Sequence, residues 1–118
     1  MSKRTEEIAQ TAVALFRKRS AHWTAMGYTG AKLYAALAAD AELPEHLSAH
    51  VIAALEGIQP DAVAQRRKRG GGPSFIRTAS NQIIYPTAAY CHFLAARFVE
   101  RRPPSAAREY TRTSASAN

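Results

Sequence analysis

Apolar residues recur at helical spacing from the start of the chain. Ile8, Ala12, Leu15, Phe16 and Trp23 share one face, with Arg17 and Lys18 opposite. Thr5 stands before them as an N-cap, and Glu6 and Glu7 fall in the first turn, where the helix dipole favours negative charge. Gly27 and Gly30 punctuate the chain, and Thr29 is placed to cap a second helix carrying Leu33, Tyr34 and Leu37. Pro44 interrupts whatever precedes it. Neither helix shows catalytic or metal-ligand spacing. Residues 1–46 are therefore expected to be a helical extension used for packing or dimerisation.

The pattern tightens after Leu47. Ser48 is a good N-cap, Val51, Ile52 and Leu55 form a short apolar stripe, and Gly57 stops it. Ile58 and Gln59 make a tight connection. Pro60 suits the first position of a new helix, where its missing N–H costs nothing, and Asp61 complements the N-terminal dipole. Ala62 and Val63 are expected to face inward while Gln65, Arg66 and Arg67 project out. Helix, glycine turn, helix is the unit that places its second helix in a DNA major groove.

Gly70-Gly71-Gly72-Pro73 ends that helix. Phe75-Ile76-Arg77 and Ile83-Ile84-Tyr85, around the polar bend Ala79-Ser80-Asn81, read as a β-hairpin. Pro86 or Thr87 opens a last helix with Tyr90, Phe93, Leu94 and Phe98 along one side and Arg97, Arg101 and Arg102 in its final turns. Pro103-Pro104 stops it, and residues 103–118 read as a disordered basic tail. The expected fold is mostly α with a small β-hairpin wing: a winged helix-turn-helix over residues 47–102 preceded by N-terminal helices.

Composition narrows the function. The 118 residues carry 16 Lys plus Arg against 9 Asp plus Glu, a net charge of +7, and 47% are hydrophobic, enough for a core. Residues 47–102 hold eight basic side chains against three acidic ones, a balance of +5, and half of the eight form the unbroken run Arg66 to Arg69. Polyanions are the partners such a balance favours. No apolar run approaches the roughly 18 residues of a membrane span. The opening Met1-Ser2-Lys3-Arg4 leads into a polar, acidic turn, so no secretory leader is expected and the expected location is cytoplasmic, with the nucleoid.

Other chemistry has little footing. Cys91 is the single cysteine, so no internal disulfide or Cys-rich zinc site forms. It neighbours His92 without an acid partner, which makes it a core thiol rather than a nucleophile. His46 and His50 are spaced i, i+4, but Pro44 and Ser48 put them across a helix start. Paired carboxylates, a phosphate loop and triad spacing are all missing from the pattern. No enzyme activity, metal or cofactor is expected.

Taken together, Leu47-Ser48, Ile52-Ala53, Leu55-Glu56-Gly57, Gly70-Gly71-Gly72-Pro73-Ser74-Phe75, Ile84-Tyr85 and Phe93-Leu94 follow one another in a known order. Over about 50 residues the chain resembles the AlpA-type regulators and phage excisionases, small winged helix-turn-helix proteins related to the MerR-like group. It departs from them at Gln59, where that family has a Ser cap, at Gln65-Arg66, where it has Arg-Trp, and at Ala88-Ala89, where it has an acidic residue. In this resemblance Tyr85 is a hairpin packing residue, not a recombinase nucleophile.

The resemblance implies sequence-specific binding of double-stranded DNA by a protein of a plasmid, phage or integrative element. The role is that of a transcriptional regulator or of an excisionase-like directionality factor. Asp61, Gln65 and Arg66 would approach base edges, since Arg reads guanine and Gln reads adenine. Arg67, Lys68, Arg69 and Arg77 would hold phosphates, and Ser80, Asn81 and Gln82 would form the wing tip. A homodimer through the N-terminal helices, and a recombinase or other protein partner, extend that reading. The alternative is a protein-interaction module docking the winged fold on another protein, such as an inhibitor of a host nucleic-acid machine.

Overall fold

A computed structural model describes residues 3–99. Helix α1 spans Lys3–Ala25, α2 Gly30–Ala38, α3 Ala49–Glu56, α4 Pro60–Lys68 and α5 Thr87–Arg97. Strands β1 (His46–Leu47), β2 (Ile76–Arg77) and β3 (Ile83–Pro86) make one small antiparallel sheet in the order β1-β3-β2. The protein is thus mostly helical with a three-stranded sheet. Among the described residues, no helix is long and apolar enough to cross a membrane.

Local chemistry explains most boundaries. Ser48 caps α3, its Oγ accepting from the Val51 N–H at 3.2 Å. Gly57 ends α3 in the left-handed region at φ 73°, a conformation that costs a Cβ-bearing residue about 1–2 kcal/mol. Pro60 occupies the first turn of α4, as the sequence predicts, and Gln59 gives it no side-chain cap. Thr29 precedes α2 but forms no side-chain cap either. Helix α1 begins upstream of Thr5, which therefore lies within the helix instead of capping it.

The hairpin pairs Ile76 with Ile84 and Arg77 with Ile83. Strand β1, absent from the sequence reading, adds to the other edge of β3 through His46↔Pro86 and Leu47↔Tyr85. Two residues carry no detectable alternation, so only the tertiary pairing reveals it. The His46/His50 pair is divided between β1 and α3 and shares no helix face.

Two apolar clusters meet along α1. Ala9 and Val13 pack with Leu47, Val51, Ile52, Ala53, Val63, Tyr85 and Tyr90, while Phe16 packs with Leu37, Leu43 and Cys91. Residues 3–46 thus lie against the rest of the chain, α1 on α3 and α2 on α5. Of the expected α1 face, Phe16 is buried and Ala12, Leu15 and Trp23 pack half-buried against the two clusters, whereas Ile8 is 60% exposed and Ala9 and Val13 take the buried positions with Phe16. Close approach of α1 to α3 selects the small Ala9 for the contact, and the larger Ile8 is left outside.

Asp40 ties these layers together. Its side chain is 3% exposed and accepts hydrogen bonds from Arg19 Nε (2.7 Å), Trp23 Nε1 (2.8 Å) and the Glu42 N–H (2.9 Å). Burial pushes its pKa up, but the bonds from Arg19, Trp23 and Glu42, with the Arg19 charge, together hold it below the usual carboxylate value. Thr87 fixes the start of α5: its hydroxyl donates to the Pro44 carbonyl, and its N–H donates to Glu45 O at 2.9 Å. The last helix ends at Arg97, and Phe98 is 44% exposed. Arg101, Arg102, Pro103-Pro104 and the basic tail expected over residues 103–118 lie outside the described residues.

Candidate nucleic-acid interface

Val63, 1% exposed, pins the inner face of α4 in the core. Asp61, Ala62, Gln65 and Lys68 then fall on the outside, followed by Arg69 at the C-cap, all exposed. Their i, i+4, i+7 spacing forms one stripe about 10 Å long. The side chains of Asp61, Gln65, Lys68 and Arg69 have no hydrogen-bond or ion-pair partner among the described residues. Ala62, predicted inward, is on this stripe.

Arg66 points the other way, against the expectation that it projects outward. It is half-buried, and its Nη atoms donate to both carboxylate oxygens of Glu56, at 3.0 and 3.3 Å. Glu56 also accepts from the Tyr90 hydroxyl at 2.8 Å. Burial, and then that bond to Glu56, raise the Tyr90 pKa. The Arg66 guanidinium also lies 5.3 Å from the centre of the Phe93 ring, and Arg97 approaches the same ring at 4.6 Å. The cause is electrostatic: Glu56 is the last residue of α3, where the dipole disfavours an acid, and Arg66 supplies the compensating charge.

Arg67 is half-buried too, with its guanidinium 5.7 Å from the centre of the Phe75 ring. This contact links the end of α4 to the start of the hairpin. A guanidinium over a ring keeps edge N–H donors for other acceptors. The four-residue basic run is therefore divided: Arg66 and Arg67 brace the fold, and Lys68 and Arg69 are exposed with no partner among the described residues.

The glycines allow this arrangement. The Gly71 N–H bonds back to Arg66 O at 3.0 Å, and the Gly70 N–H to Arg67 O at 3.0 Å, closing the helix. At Gly72 (φ +87°) a Cβ would stand 3.1 Å from Arg66 Nε, so a side chain there would press on the arginine as well as strain the backbone.

The tip of the hairpin is a hydrogen-bonded three-residue loop. Thr78 N–H donates to Gln82 O and Asn81 N–H to Thr78 O, each at 2.8 Å, while Gln82 N–H reaches Thr78 Oγ1 at 3.1 Å. Asn81 adopts φ 66°, the left-handed position such loops require. Its Oδ1 accepts from Arg77 at 3.2 Å, and the Ser80 and Thr78 hydroxyls lie 3.1 Å apart. Arg77, Ser80, Asn81 and Gln82 are all exposed. Tyr85 is 1% exposed, packs near Phe75 and leaves its hydroxyl buried without a hydrogen-bond partner among the described residues.

The structure thus joins Asp61, Gln65, Lys68 and Arg69 on one helix and Arg77 to Gln82 on a hairpin tethered to that helix, and withdraws Arg66. It adds Arg97, an exposed cation beside Phe93 that the sequence places only in the final turns of the last helix. No group of three or more metal-ligating side chains comes together among the described residues. No protein-family model, curated protein or solved structure matches the chain.

Proposed function

We propose that this protein binds double-stranded DNA as a winged helix-turn-helix, with α4 as the recognition helix and the β2–β3 hairpin as the wing. The unsatisfied outer stripe of α4 carries this reading. Gln65, Lys68 and Arg69 are long donors held outward by a buried Val63 and left without a partner among the described residues. A helix of this diameter fits the major groove, where Gln65 would address adenine and Asp61 the cytosine amino group.

Lys68, Arg69 and Arg77 supply phosphate contacts, with Arg67 and Arg97 at the margins. Arg66 acts as a brace between α3 and α4, not as a base reader. The excess of positive charge supports a polyanionic partner, and the order of sequence motifs supports a regulator or excisionase-like factor of a mobile element. The protein-docking alternative rests on a different surface, the apolar outer side of α1.

The test is binding to random duplex DNA across a salt series, followed by selection of sites from a randomised pool. Steep salt dependence together with an enriched motif is the expected outcome. No binding at low salt would overturn the reading and favour protein docking.

A further inference from the structure

The outer surface of α4 presents one methyl group among its polar side chains. Val63, 1% exposed, marks the inner face of the helix, and Ala62 lies on the exposed arc with Asp61, Gln65, Lys68 and Arg69. Helical side chains lean toward the N-terminus, so a residue four positions on covers the one below it. Arg66 holds that place over Ala62. Its guanidinium is turned instead to the Glu56 carboxylate, at 3.0 and 3.3 Å, and the Ala62 methyl is left uncovered.

Charge decides which end of α4 meets base edges. The first turn holds the Asp61 carboxylate, and the last turn and C-cap hold Lys68 and Arg69. A phosphate is repelled by the first and attracted by the second. A duplex therefore takes the last turn against its backbone and the first turn against the floor of the major groove. A side chain as short as alanine reaches a base only where the helix backbone itself comes close, and Ala62 sits at that end.

The group in the major groove that matches an exposed methyl is the 5-methyl of thymine. Ala62 and Gln65 are three residues apart, about 4.5 Å along the helix, against roughly 3.4 Å between stacked base pairs. Gln65 is matched to adenine, so the two side chains address neighbouring A·T pairs.

We infer that Ala62 is a specificity-determining residue, its methyl reading the thymine 5-methyl in the base pair next to the adenine addressed by Gln65. This rests on the DNA-binding reading above and adds to it the identity of a second base pair.

The test uses the full chain and the duplex enriched from a randomised pool, with each thymine replaced in turn by deoxyuridine, which removes only the methyl. One replacement, adjoining the adenine at which Gln65→Ala loses discrimination, should weaken binding about three- to fivefold, the share of one buried methyl. Ala62→Gly should bind the thymine and uracil duplexes equally; any loss of helix stability in that variant cancels in the comparison. Ala62→Leu should weaken binding to the selected duplex about tenfold or more, because its bulk overpacks the contact and holds the helix off the bases. Leucine is a good helix former and the position is exposed, so the thermal transition of that variant should match the wild type. Binding indifferent to uracil at every position, equal uracil sensitivity in Ala62→Gly, or tolerance of Ala62→Leu overturns the assignment and leaves DNA binding standing. No binding to any duplex overturns the DNA-binding reading itself, and this assignment with it.

Discussion

Arg66 holds both oxygens of Glu56, and through them the end of α3 to the last turn of α4. The outer stripe of α4 owes its direction to this pair together with Val63. Among the described residues, Arg66→Ala leaves Glu56 with only the Tyr90 hydroxyl, and it should cost about 1–3 kcal/mol in a urea titration. Arg66→Lys should recover little of this, because an ammonium cannot make the two-pronged contact. Unchanged stability with lost DNA binding would instead return Arg66 to the reading surface.

Separate roles along α4 should appear as separate binding phenotypes. Replacing Lys68 and Arg69 with Gln should lower the slope of log affinity against log salt by about 2, with weakening similar on all duplexes. Gln65→Ala should barely alter that slope but lose about 1–3 kcal/mol of discrimination at one base position. Anisotropy titrations on selected and scrambled duplexes distinguish the two.

Asp40 should set the acid limit of the fold. Its folded pKa lies below the unfolded value of 3.8, so its stabilisation is complete above that value and fades as pH falls through the lower folded one. Asp40→Asn should flatten the pH dependence of the melting temperature below about pH 4. Asp40→Ala, which strands Arg19 and the Trp23 N–H, should lower stability at neutral pH by about 3 kcal/mol, or roughly 10 °C. A wild-type melting temperature that stays level from pH 5 to pH 2 would contradict this role.

Cys91 should be silent in the native state. It is 0% exposed, and burial, with the nearby Asp40 charge, pushes its thiol pKa up to about 12. A disulfide reagent at pH 8 should label it only at the rate of global opening and immediately in denaturant. Fast labelling of folded protein would show that the Phe16–Leu37–Cys91 cluster opens locally.

What could be read in the sequence was what local chemistry decides. Ser48, Gly57, Pro60 and the glycine run fix helix ends through bonds to near neighbours, so α3 and α4 fall where their punctuation puts them. On α1, Ala12, Leu15, Phe16 and Trp23 pack inward as their spacing predicts and Ile8 does not, because periodicity rewards the large Ile8 whereas close helix packing rewards Ala9. Strand β1 is too short for any pattern. Among site residues, Gln65, Lys68 and Arg69 are exposed where expected, and Arg66 is not. Its partner Glu56 is ten residues away across a turn, a relation that no linear spacing rule contains. The acid at the end of α3 was the available clue, since an uncompensated Glu there invites a cation.

The junction between β3 and α5 has no slack. Pro86 is both the last strand residue and the helix N-cap, and Thr87 is lashed to Pro44 and Glu45. One residue inserted here would turn Tyr90 by about 100° about the helix axis, away from Glu56 and out of the core. Among the described residues, the hydrogen bonds of the hairpin loop from Thr78 to Gln82 stay within the hairpin, so the loop can lengthen freely. Variation in reach is therefore open to this architecture at the far end of the hairpin, while its near end must keep its residue count.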